Sequence, residues 1–259
     1  MWVSNGSGTV ISQSNLTLDM DNAGPPQKGA VRSIVVGVGL TVLGIVGTFA
    51  GGIVAGILLV LGGGSLPEPV AGAFVLGVVE ATYLVIGVAY VSRTRIAVPW
   101  DRPTDEGLRW AVWGSLAAVA LAAVVFLGID AAGLSLETRL EAETADISVL
   151  QFLSILAAFA AVAVSEEYLF RGAIQRRLEL GLGEWGGLAV ASLLFGSIHV
   201  FNYDGEAAAL LLAVLALSLV GAVMGYVYQR TENLTVPVLV HYTYNVTVFA
   251  LATLGFQLV

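Results

Sequence analysis

Apolar residues run along this chain in long blocks separated by short polar breaks, and the blocks have the length of a membrane crossing. About 30 Å of hydrocarbon takes about 20 helical residues to span. Seven segments reach or approach that length: 33–61, 70–91, 108–127, 147–178, 185–200, 207–228 and 234–256. The pattern predicts an all-α, polytopic transmembrane helical bundle of about seven spans. Ahead of it, residues 1–28 are polar and rich in Ser, Asn, Thr and Gly, with no basic stretch leading into an apolar core. That is unlike a secretory signal peptide and predicts a mostly disordered N-terminal tail over 1–30.

Composition agrees. With 57% hydrophobic and 12% charged residues and a mean hydropathy of +0.87, the 259 residues cannot cover themselves with polar surface. The lipid bilayer is the expected partner of most of the chain. There is no cysteine, which removes disulfides, thiolate metal ligands and cysteine nucleophiles. The net charge is −8 with no clustered basic face, so nucleic acid is not an expected partner.

Charge also sets an orientation. If the first block crosses once from an inside N-terminus, the inside segments hold Lys28, Arg32, Arg93, Arg95, Arg102, Arg109, Arg171, Arg176, Arg177 and Arg230. The outside segments hold only Arg139, so the balance is ten basic residues against one, in the direction of the positive-inside rule. Splitting the first block at Gly51-Gly52 would put Lys28 and Arg32 on the wrong side. The expectation is a multi-pass protein of the cytoplasmic membrane with its N-terminus inside, an acidic external loop over 130–146 and its C-terminus outside.

Few residues in the blocks can do chemistry. Glu166, Glu167 and Arg171 sit together in the block that begins at 147, and the only two histidines, His199 and His241, lie in apolar stretches. Ionisable groups in such places are costly and point to function. On a helix Glu166 and Glu167 point about 100° apart, so they serve different partners. The i,i+4 spacing pairs Glu167 with Arg171 and leaves Glu166 free as a general base. A plainer reading puts both glutamates at the membrane interface, salt-bridged to Arg171, Arg176 and Arg177. A lone intramembrane histidine, likewise, often only hydrogen-bonds a neighbouring helix. Two histidines together with the glutamate pair, and no histidine elsewhere, favour a shared site.

Spacing brings these residues to one depth. Glu166 and His199 stand symmetrically about Gly181-Leu182-Gly183, a sequence suited to a turn between antiparallel helices. Both then fall about 20 to 25 Å from the turn at about 1.5 Å per residue. His241 and Asn245 share a helix face, and His241 lies about 10 Å into the last span by the same rise. All of them converge toward the cytoplasmic face. The segment 201–206 must then finish its crossing in irregular form, which is tolerated only where it lines a cavity or is buried in protein. Glu80, midway along 70–91, either lines that cavity or hydrogen-bonds a neighbouring helix. The glycines at 37, 39, 44, 47, 51 and 52 are expected to let helices approach closely.

In this order and on successive apolar segments, Glu166-Glu167-x-x-x-Arg171, Phe195-x-x-x-His199 and His241-x-x-x-Asn245 resemble the three motifs of a known family. It is the CAAX prenyl protease and bacteriocin-processing (CPBP) family of intramembrane endopeptidases, also called the type II CAAX protease or Abi family. The resemblance covers roughly 150–249 and includes Arg171-Gly172-Ala173-Ile174-Gln175-Arg176-Arg177-Leu178 and Thr235-Val236-Pro237-Val238-Leu239. The chain thus divides into the tail, a three-span membrane region over 31–146 and a catalytic membrane region over 147–259. The resemblance implies an endopeptidase acting on a membrane-anchored peptide or protein, prenylated at its C-terminus if the family name holds. It also implies the roles: Glu166 with His199 activates water, His241 and Asn245 stabilise the oxyanion, and Glu167, Arg171 and Phe195 support them.

The same Glu166, His199 and His241 also make a three-ligand set for zinc with one position open, and family members are commonly labelled metalloproteases. Asn245 is a poor zinc ligand and a good oxyanion donor, which favours a mechanism that requires no cofactor. There is no His-Glu-x-x-His, so the chain is not of the other membrane CAAX protease type. Two other classes compete. A non-catalytic scaffold or immunity-type relative predicts decayed motifs, whereas these are intact; a proton-coupled transporter predicts inverted repeats, and none is visible.

Overall fold

The computed structural model describes residues 27–64, 66–138 and 148–254. The expectations for the tail up to residue 26, for the acidic loop from 139 to 146 with the first residue of the next block, and for the chain end lie outside the described residues. Seven α-helices follow in order: α1 (Gln27–Leu61), α2 (Glu68–Thr94), α3 (Asp105–Ala131), α4 (Val149–Glu167), α5 (Arg176–Ile198), α6 (Ala207–Thr231) and α7 (Thr235–Thr253). Two three-residue strands, β1 (Leu136–Thr138) and β2 (Tyr203–Gly205), are the only departure from helix-and-loop structure among the described residues. Between α4 and α5 the backbone widens into a π-helix over Tyr168–Gln175, and a 3₁₀ turn, His199–Asn202, leads from α5 into β2.

Local chemistry explains where the helices start. Thr104 accepts a hydrogen bond from Gly107 N at the head of α3, and Ser148 with Gln151 forms a reciprocal capping box at the head of α4, each closing backbone groups that the first turn leaves open. The helix of the first block begins at Gln27, inside the stretch expected to be tail, and α3 runs on to Ala131.

Six helical stretches among the described residues are long and apolar enough to cross a membrane. Their outer faces expose Val35, Val46, Phe49, Ile53 and Val60, a surface that suits lipid and not water. This is a multi-pass membrane protein. One of the six, Val149–Asn202, is 54 residues long and would reach about 80 Å if straight. It is broken at Gly183, where φ is 73° and ψ is 174°. Beyond that residue the chain folds back so tightly that a Cβ on Gly187 would lie 2.6 Å from Glu179 N. The turn expected at 181–183 is there, and α5 packs against the π-helix, α1 and α6.

Close helix approach follows the glycines only in part. Gly44, Gly47 and Gly51 face Tyr83, Thr82 and Val79 of α2, and Gly37 faces Leu178. Gly39 and Gly52 have nothing within 4 Å, so the expectation fails for these two: they lie on the outer side of α1, where no helix packs.

Two apolar groups form the interior. One joins α3, α6 and α7 through Ala118, Phe126, Leu217, Met224 and Val240. The other joins α1, α2, the π-helix and α5 through Leu40, Tyr83, Phe170, Ile174 and Phe195. They meet where the Phe195 ring stands 5.9 Å from that of His241. The irregular passage expected at 201–206 is a 3₁₀ end and a short strand; it is not buried as expected, since Phe201, Asp204, Gly205 and Glu206 are exposed, and strand pairing serves its backbone instead. β2 lies antiparallel to β1, with Leu136 opposite Gly205, Glu137 opposite Asp204 and Thr138 opposite Tyr203, so backbone groups of a non-helical segment find partners. At the other end, Asp101 N donates to Asn233 Oδ1 (3.1 Å) and Asn233 Nδ2 donates to Asp101 O (2.9 Å), tying the start of α7 to the α2–α3 loop.

Candidate active site

The last turn of α4 carries Glu166 and Glu167, buried at 6% and 0% exposure. A buried carboxylate needs partners, and Glu167 has two. Its Oε2 accepts Arg171 Nε–H at 2.9 Å, and its Oε1 lies 3.0 Å from His241 Nδ1. The Glu167–Arg171 pair is the one the spacing predicted. The link to His241 was not legible in the sequence. Arg171 is fully buried in the π-helix, and its guanidinium carbon stands 4.9 Å above the Phe195 ring, whose face receives part of the charge.

Phe195 connects the motifs. Its ring lies 5.3 Å from Phe170, 4.7 Å from His199 and 5.9 Å from His241, centre to centre. It can do so because Gly196 and Gly221 let α5 and α6 come together: a Cβ on Gly196 would lie 2.5 Å from Val214 O, and one on Gly221 would lie 2.8 Å from the Phe195 ring.

Hydrogen bonds fix how both imidazoles face. His199 Nδ1 is 2.8 Å from Phe195 O; a carbonyl only accepts, so Nδ1 carries the proton and Nε2 presents a lone pair. The Glu167 carboxylate imposes the same on His241 Nδ1. Both Nε2 atoms then face Glu166 Oε2, each at 4.0 Å. That is beyond direct hydrogen bonding, and Oε2 is buried with no hydrogen-bond partner. Glu166, His199 and His241 are therefore brought together from three helices. Asn245 lies one turn beyond His241 on α7 and is half-buried.

The 4.0 Å gaps discriminate between possible occupants. A water oxygen about 2.8 Å from Oε2 and from one Nε2 bridges such a gap at an angle of about 90°, near that between its own O–H bonds. A zinc ion with bonds of about 2.0 Å holds tetrahedral ligand atoms about 3.3 Å apart. The Glu166, His199 and His241 atoms are wider than that, and among the described residues no group of three His, Asp or Glu side chains is set closely enough to hold a metal ion. The residues as they stand do not fit a tetrahedral zinc.

A third buried carboxylate, Glu80, comes from α2. Glu80 is 7% exposed, its Oε2 has no hydrogen-bond partner, and its charge acts on Glu166. The sequence signal was a single carboxylate in an otherwise apolar block, which left two readings open. Tyr83, one turn further on the same helix, feels the charges of both glutamates.

Comparison with known proteins falls on this region. Residues 148–247, about two-fifths of the chain, match the family model described as type II CAAX prenyl endopeptidase Rce1-like. No curated protein matches the chain, and no solved structure matches it. The matched segment holds both arms of the hairpin and the histidine face of α7. Over residues 148–247 this chain is thus similar to the type II CAAX prenyl endopeptidase Rce1-like family, the family that its three ordered motifs resemble.

Proposed function

We propose that the protein is an intramembrane endopeptidase hydrolysing a peptide bond of a membrane-anchored peptide or protein, of the C-terminally prenylated kind in the family's name. The observation that carries the reading is the unpartnered Glu166 Oε2, buried 4.0 Å from both histidine Nε2 atoms. A water between Glu166 and His199 donates one hydrogen to Oε2 and the other to Nε2, which leaves an oxygen lone pair free for a carbonyl carbon. As the oxygen adds, Glu166 takes its proton as general base.

The tetrahedral oxygen needs donors. Asn245 offers a carboxamide N–H, and His241 offers Nε2–H when it carries a second proton, with Glu167 balancing the charge at Nδ1. Arg171 holds Glu167, and Phe195 packs against both imidazoles; these residues orient the reacting groups and do not touch substrate. In the same reading the 54-residue stretch crosses twice, making seven spans with the N-terminus inside, the C-terminus outside and the site toward the cytoplasm.

The test is cleavage of a farnesylated CAAX peptide by the purified protein. Glu166→Ala lowers kcat by at least about 100-fold, and equal activity in the two proteins would end the assignment. Cleavage that persists after a strong chelator supports the water mechanism. Cleavage that is lost to chelator and restored by zinc replaces it with a metal-dependent one.

A further inference from the structure

Nothing so far gives the buried carboxylate of Glu80 a task. Its position follows from how α2 packs. A Cβ on Gly87 would lie 3.3 Å from Leu169 Cα, and one on Gly172 would lie 3.1 Å from Val98. Along α1, Gly44, Gly47 and Gly51 meet Tyr83, Thr82 and Val79, while Gly44 and Gly37 meet Leu169 and Leu178; α2 and the α4–π segment both oppose α1 and so run in the same sense, with Gly87 level with 168–169. From that level Glu80 is seven residues back, about 10 Å, and Glu166 two to three residues back, about 4 Å. Their Cα atoms are therefore offset by about 6 Å along the shared axis, a span that two glutamate side chains close.

Both carboxylates are more than nine-tenths buried, and each has an oxygen without a hydrogen-bond partner. Arg171 bonds Glu167 through Nε, and among the described residues it forms no ion pair with Glu80 or Glu166, although its charge acts on Glu166. Two carboxyl groups within reach of each other in such surroundings do not both stay ionised, and one of them keeps its proton.

The geometry points to Glu80 as the general acid of the reaction, the group that protonates the leaving nitrogen while Glu166 serves as base. This assignment rests on the protease reading above. Water gives a proton to Glu166 and its oxygen bonds to the carbonyl carbon. The Glu80 carboxyl then gives its proton to the amide nitrogen as the C–N bond breaks. The products are a carboxylic acid and an amine, and the proton on Glu166 crosses to Glu80 to reset the pair. The need for an acid is specific to amides: an amine leaves a tetrahedral intermediate poorly unless protonated, whereas an alkoxide leaves far more readily.

The experiment compares wild type, Glu80→Gln and Glu166→Gln on a farnesylated CAAX peptide and on the same peptide with the scissile amide replaced by an ester. For Glu80→Gln, amide kcat falls by at least about 100-fold, KM stays within about threefold and ester hydrolysis stays within about threefold of wild type, margins small against a general-acid effect. Glu166→Gln loses both activities, because either substrate needs the base. An equal fall of amide and ester hydrolysis in Glu80→Gln would make Glu80 structural, and an unchanged amide rate would make it idle; either result overturns the assignment. The retained ester activity itself reports that the variant is folded. A wild type that cleaves neither substrate brings down the protease reading, and this assignment with it.

Discussion

Glu167 and His241 are 74 residues apart in the chain and 3.0 Å apart in the fold, with Glu167 Oε1 accepting the Nδ1–H of the imidazole. The same carboxylate binds Arg171 with both side chains at 0% exposure. Removing one partner of a buried ion pair strands the other, at about 3–5 kcal/mol. Glu167→Ala is therefore expected to lower stability by that amount, measured by unfolding of the purified protein in detergent. The double variant Glu167→Gln/Arg171→Met should regain much of the stability without regaining peptidase activity, because His241 has lost the carboxylate that fixes its ring. A Glu167→Ala protein as stable as wild type would show that the pair does not hold the fold.

Gly196 and Gly52 make a second, paired prediction. A Cβ at 196 would meet Val214 O at 2.5 Å and Ser218 N at 2.6 Å, both backbone atoms that cannot swing aside, whereas at 52 it meets nothing within 4 Å. Gly196→Ala should cost about 1–3 kcal/mol by forcing α5 from α6 and should lower activity, since His199 is three residues further along. Gly52→Ala should shift stability by no more than about 1 kcal/mol, in the favourable direction given by helix propensity. Thermal unfolding of the two variants side by side decides it: similar midpoints would refute the close-approach role of Gly196.

Gly183 sets the hairpin that levels Glu166 with His199. Its φ of 73° and ψ of 174° lie in a region essentially closed to residues with a Cβ, and strain there is of order 1–3 kcal/mol. Gly183→Ala should be destabilised by about that amount and lose peptidase activity beyond what the lost stability accounts for, since a shift of either arm opens the 4.0 Å gaps. Activity measured well below the unfolding midpoint checks this, and a fully active Gly183→Ala would show that the turn does not register the site.

Much of the architecture was legible in the chain because the membrane makes it so. Apolar blocks with the length of a crossing must be helices when no water is present to bond their backbone. The i,i+4 spacing of Glu167 and Arg171, and the symmetry of Glu166 and His199 about Gly181-Leu182-Gly183, are local quantities that survive folding. Even the irregular passage at 201–206 followed from counting residues. Its solution, pairing with 136–138, did not, because a three-residue strand has too little pattern to announce itself.

By itself the sequence determined the helical blocks, the polar residues within them and the ordered motifs that gave the family resemblance. Tertiary structure alone decided which helices face one another, and hence the partners those polar residues have. It bound Glu167 to a histidine on α7, set Phe195 between the two imidazoles and Arg171, and brought Glu80 near enough for its charge to act on Glu166. The physical reason is that periodicity along a chain fixes which residues share a face of one helix, whereas the pairing of faces depends on packing. Where Gly44, Gly87, Gly196 and Gly221 permit close approach is a property of pairs of helices, and no single segment carries it.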